Sequence, residues 1–140
     1  MSKLLERLSD PAKSGVYRAS HDRDIRDALS GSEYVPVNIA LAPGKEALLA
    51  SIAASLGFPD WFGGNWDALE DCLTDLSWRK NRAHVFLFSR ASVNDDLGIL
   101  LDVLASAAEF WRERGRAFFA IFIDPGGELD LPDLYREKAA

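Results

Sequence analysis

The sequence predicts an α/β fold, a small three-stranded parallel sheet with helices packed against it. Two observations carry this. Short β-branched or aromatic apolar runs recur as "YVPVNIA" (34–40), "AHVFLFS" (83–89) and "AFFAIFI" (117–123). The stretches between them space their apolar residues as helices do, and parallel strands need such crossovers.

Taken in order, residues 34–40 suit a strand whose Pro36 implies an edge or an irregular start. "GKEALLASIAASLG" (44–57) reads as a helix closed by a glycine. Asn65 can cap a second helix running from Trp66 to about Ser77. Residues 83–89 and 117–123 read as buried strands. Leu97, Leu100, Leu101, Leu104, Ala108 and Trp111 line a third helix that stops near Gly115. The first thirty residues are mixed in charge and weakly patterned, with "GVYR" reading at most as a short edge strand. The tail after Asp124 is acidic and rich in Gly and Pro.

The chain has 140 residues, enough for one domain with a real core and too few for two ordinary ones. No apolar stretch approaches the roughly 20 residues that span a bilayer, and "MSKLLERLSD" lacks an apolar signal core. The expectation is a soluble cytoplasmic protein with no membrane partner. The single cysteine, Cys72, excludes an internal disulfide and a cysteine-based zinc cage. It falls among apolar helix positions and is expected to be a small buried hydrophobe.

The net charge of −6 argues against nucleic acid or anionic membrane as a direct ligand. Its distribution is more informative. Residues 46–78 hold six acids and no Lys or Arg, while acids and bases outside that window number sixteen each. All of the net charge therefore sits in about a quarter of the chain.

At about 100° per residue, Asp67, Glu70, Asp71, Thr74 and Asp75 share one arc of the second helix. Trp66, Ala68, Leu69, Cys72, Leu73 and Leu76 occupy the other. An amphipathic helix with a solvated face is the ordinary explanation. Two details oppose it. Asp67–Asp71 and Asp71–Asp75 are like-charge i,i+4 pairs, each costing about 0.2–0.5 kcal/mol. Asp75 is also expected in the last turn, where the helix dipole disfavours an anion by about 0.3–1 kcal/mol. Such a face is suited to something positive.

The approach to this helix, "PDWFGGN", places Trp61 and Phe62 before Gly63 and Gly64, whose tolerance of positive φ lets the aromatics turn away from the helix axis. One ring is expected in the core and the other near the surface beside the carboxylates. A phosphate site at this glycine pair is disfavoured, because Asp67 occupies the first helical turn and no Lys follows with P-loop spacing. Paired carboxylates can serve glycoside hydrolysis or metal chemistry, but no histidine neighbours Asp67 and Asp71 in sequence and no loop has EF-hand spacing. His21, in a polar loop, and His84, opening a strand, read as solvated or structural. No catalytic residue, metal or cofactor is expected.

"FPDWFGGNWDALEDCLTDL" resembles the central motif of the barstar family, intracellular inhibitors of secreted bacterial ribonucleases of the barnase type. The match runs through Pro59, Trp61, Gly63, Asn65, Asp67, Ala68, Leu69, Asp71, Cys72, Leu73 and Thr74. The resemblance implies a barstar-like domain over 33–124, an N-terminal extension over 1–32 and a C-terminal tail over 125–140. It implies that this helix and its preceding loop plug a ribonuclease active site. Trp61 matches the family's interface aromatic, Asp67 and Asp71 its two principal aspartates, and Asp71 the carboxylate lying where an RNA phosphate would bind. With the flanking positions, the expected partner-binding residues are Trp61, Gly63, Gly64, Asn65, Asp67, Glu70, Asp71 and Asp75. The chain departs from the family where Ser106 falls near a contacting glutamate, Glu109 being the nearest acid. It also has Asp75 and Leu76 where the family's helix ends in glycine and an aromatic, and Trp66 where the family has an aliphatic. Two readings follow: an inhibitor of a basic barnase-like ribonuclease, or a non-enzymatic interaction module whose acidic face binds another basic partner.

Overall fold

The computed structural model describes residues 3–79 and 83–134; residues 1–2 of the expected extension and 135–140 of the expected tail lie outside them. Along the chain run α1 (Lys3–Leu8), a 3-10 turn (Pro11–Lys13), β1 (Gly15–Ala19), α2 (Arg23–Leu29), β2 (Val37–Ala40), α3 (Lys45–Leu56), α4 (Trp66–Leu73), β3 (Ala83–Ser89), α5 (Asp95–Glu113) and β4 (Ala117–Ile123).

The sheet has four strands in the order β1-β4-β3-β2, all parallel, and so corrects the expectation of three. The added strand is the "GVYRA" segment, paired with β4 from Gly15↔Phe119 to Ala19↔Ile123. It was hard to read because a glycine and an arginine interrupt its five residues, leaving no apolar run. Its pairing comes from the long buried strand beside it.

Side chains of a strand alternate between faces, and both faces of this sheet are covered. Phe86, Phe88, Phe118, Ala120 and Phe122 join Leu49 and Ile52 of α3, Leu69 and Leu73 of α4, and Leu100 and Leu104 of α5. Val85, Leu87, Phe119 and Ile121 meet Leu8 of α1, Ile25 and Leu29 of α2, and Leu134. Double coverage explains why β4 is apolar throughout and β3 is so apart from His84 and Ser89. Part of the second layer comes from the first thirty residues.

The tail is tied to β1. The Arg18 N–H donates to the Pro132 carbonyl, and the Leu134 N–H donates to the Arg18 carbonyl, each at 2.9 Å. The Arg18 guanidinium pairs with Asp124 at 3.0 Å and Asp133 at 2.9 Å.

His84 is 2% exposed and packs among the rings of Phe86, Trp111 and Phe118. Its Nδ1 has no hydrogen-bond partner among the described residues. Burial, reinforced by Arg79 and Arg116, pushes its pKa down from 6.5 to about 4. The unfolded chain therefore takes up this proton first as the pH falls. The neutral ring is tolerated at pH 7, stability declines between pH 6.5 and 4, and the loss levels off below that. The full loss is about 3 kcal/mol. Denaturant unfolding of wild type and His84→Leu at pH 7 and pH 4.5 should show a smaller pH-dependent loss in the variant. Equal losses would mean His84 does not carry this effect.

Candidate protein-binding site

The acidic face is built on α4, which is eight residues long and too short to be stable alone. Neighbouring groups hold both of its ends. The Asn65 side chain accepts from the Ala68 N–H at 2.7 Å, the expected cap. At the other end, the Trp111 indole Nε1 of α5 donates to the Leu73 carbonyl at 2.7 Å, satisfying a carbonyl the helix leaves free. The Thr74 hydroxyl donates to the Glu70 carbonyl at 2.8 Å. Leu69, Cys72 and Leu73 are fully buried and Leu76 nearly so, fixing the helix's rotation.

That rotation leaves Asp67, Glu70 and Asp71 exposed, and Asp75 is exposed as well. None of the four has an ion-pair partner among the described residues. The helix ends at Leu73, about four residues before the expected terminus. Leu76 adopts φ 50°, a left-handed conformation, while its side chain enters the core. Without Gly or Pro, the sequence carried no sign of this stop. Asp75 consequently lies outside the last helical turn, in a turn where its N–H donates to the Cys72 carbonyl at 3.2 Å. The Asp71–Asp75 pair is therefore not an i,i+4 pair within the helix, whereas Asp67–Asp71 is; Asp75 still sits at the C-terminal end of α4 against a terminal carbonyl, where the dipole disfavours its charge. Asp67, in the first turn, is favoured by the dipole.

Cys72 shows that the carboxylates are felt inward. Burial, then Asp75 and Asp71, push its thiol up from 9.0 to about 11.

The loop before α4 divides its aromatics as expected. Phe62 packs against the core and Phe58, whereas Trp61 is 57% exposed. Gly64 has φ +73° and needs its glycine, but Gly63 does not, and a Cβ there would make only ordinary contacts at 3.6 Å or more. Two further partnerships leave no sign in the sequence, because neither side chain shares an element with the group it meets. Trp78 lies edge-on to Trp61, and Trp111 holds the end of α4.

Ser106 and Glu109 are exposed on α5. Glu109 accepts from Arg112 on the same helix, and this bond holds its carboxyl below the usual range. His84 is in the core and His21 is exposed before α2. Among the described residues, no group of three or more His, Cys, Asp or Glu is arranged to hold a metal ion, and no helix is long and apolar enough to cross a membrane.

Compared with models of protein families, residues 33–123 match the family described as Barstar (barnase inhibitor). The chain belongs to the barstar family. The matched span opens before β2 and closes with β4, so α4 and its loop lie within it while α1, β1 and α2 precede it. Comparison with curated proteins gave no match. Barstar-family membership thus rests on the family match, and the motif that carried the resemblance is the segment that presents the exposed carboxylates.

A buried, high-pKa thiol on the inward side of this barstar-family helix should react slowly. Native Cys72 is expected to resist a thiol reagent at pH 8 and to label quickly after unfolding. Rapid native labelling would mean that α4 is rotated. Leu73→Ala should lower stability by about 2–5 kcal/mol in denaturant unfolding, the cost of a buried cavity.

Proposed function

We propose that the protein inhibits a basic ribonuclease of the barnase type by placing the acidic face of α4 and the Trp61 loop into the enzyme's active site. The single observation carrying this is that Asp67, Glu70, Asp71 and Asp75 are exposed without an ion-pair partner among the described residues, on the segment matching the family's motif. An enzyme that cleaves RNA must hold phosphates with cations. Carboxylates on a rigid helix offer comparable charge and contain no scissile bond. Complementary charge steers the encounter, and ion pairs stripped of water slow escape. No covalent step or cofactor is required.

In this reading Asp71 occupies the phosphate position, Asp67 flanks it, and Trp61 supplies apolar contact beside them. Gly63, Gly64 and Asn65 shape the approach, and Glu70 and Asp75 extend the field at its edges. Glu109 is a weaker candidate because Arg112 already engages it.

The test is titration of barnase activity on RNA. Wild type should inhibit at one-to-one stoichiometry. Asp71→Ala should weaken binding by about 2–5 kcal/mol, the cost of leaving a desolvated cation unpaired, a range informed in part by the barnase–barstar complex itself. Most of that loss should appear as faster dissociation. Equal inhibition by wild type and Asp71→Ala would overturn the helix-face mechanism. Wild type that leaves barnase active would favour a basic partner of another kind.

A further inference from the structure

Trp61 is more than half exposed, and a large side chain in that position ordinarily samples several rotamers. Each such side chain immobilised on binding costs affinity. The structure places an aromatic ladder behind it. The Trp61 ring lies 6.3 Å from that of Trp78 at 82°, Trp78 lies 5.9 Å from Phe58 at 83°, and Phe58 lies 5.0 Å from Phe62 at 64°. These are edge-to-face contacts, the arrangement that aromatic quadrupoles favour.

The ladder is anchored at a rigid point. Trp78 Nε1 donates to the Leu56 carbonyl at 3.1 Å. Leu56 is the last residue of α3, and such a carbonyl has no partner within its own helix. Trp78 therefore gives that carbonyl a partner and fixes its own indole, leaving a ring edge against Trp61. Phe58 is held by its N–H bond to the Ala53 carbonyl at 3.0 Å, and Phe62 by its bond to Pro59 at 3.0 Å. Trp78 follows the left-handed turn at Leu76, which redirects the chain after α4. The turn that ends the acidic helix thus returns a support to the loop that begins it.

We infer that Trp78 is a positioning residue that holds Trp61 in a binding-ready orientation before any partner arrives. The binding part of this inference rests on the inhibitor reading above; the ordering of Trp61 in the free protein does not. Loss of Trp78 frees the Trp61 indole, and the partner must then order it. The expected penalty is about tenfold or less in affinity, the scale of immobilising one side chain.

The test has two arms. In the free protein, 15N relaxation of the Trp61 indole should give an order parameter close to the rigid value of about 0.85 in wild type. It should fall below about 0.6 in Trp78→Ala while the amides of α4 are unchanged. Trp78→Phe, which keeps a ring edge, should restore most of the order. If Trp78→Ala does not fold, Trp78→Leu, which refills the volume without a ring, is measured in its place. A Trp61 indole equally mobile with and without Trp78 overturns the inference. In the second arm, with barnase as the probe, Trp61→Ala combined with Trp78→Ala should bind no more weakly than Trp61→Ala alone. Additive losses also overturn it. Wild type that does not bind barnase would sink the inhibitor reading, and the relaxation arm alone would then decide the role of Trp78.

Discussion

The burial of one side of α4 against α5 is the constraint on which the rest of the site depends. An eight-residue helix has little stability of its own. Leu69, Cys72 and Leu73 leave water completely and Leu76 almost completely, and Trp111 bonds to the Leu73 carbonyl. A helix so anchored cannot roll. Three carboxylates are consequently displayed outward from positions set by the core, and a fourth follows in the turn. The large β3–β4 core serves this indirectly by giving α5 a flat surface to pack on. α1 and α2 serve it more remotely by covering the opposite face of that sheet, which β1 extends beside β4.

Electrostatics and stability pull in different directions here. Asp67–Asp71 repulsion is small, and the dipole at the start of α4 favours Asp67. Asp75, in the turn against the terminal carbonyls of α4, is disfavoured by that dipole. The field nevertheless reaches the interior, where Asp75 and Asp71 add to burial in raising the Cys72 thiol. In the proposed function, cations of the partner supply the neutralisation that the chain itself does not.

Periodicity made most of the fold legible. Residues 83–89 and 117–123 could be read because strands covered on both faces are almost wholly apolar, His84 and Ser89 being the exceptions. The α3 boundary could be read because Gly57 closes it with a left-handed φ of 64°. β1 was obscure because its residues do not alternate clearly, and its place depends on β4, about a hundred residues later in the chain. The early end of α4 was obscure because a buried leucine takes the conformation usually given to glycine. On the candidate site, the Asn65 cap was legible from residue type and the exposed acids from helical spacing, whereas the glycine pair implied only that one of Trp61 and Phe62 would be buried. The Trp61–Trp78 and Trp111–Leu73 contacts were not, since they arise from folding two distant segments together.

In the proposed function, the acidic face of α4 exists to meet positive charge. The most direct test of that role is the ionic-strength dependence of association with barnase, measured by stopped-flow mixing. Steering acts over about a Debye length, which shrinks from about 10 Å at 0.1 M salt to about 3 Å at 1 M. The association rate should fall at least tenfold between low salt and about 0.5 M while dissociation changes much less. An association rate indifferent to salt would contradict that role and reduce the carboxylate row to a solvated helix face.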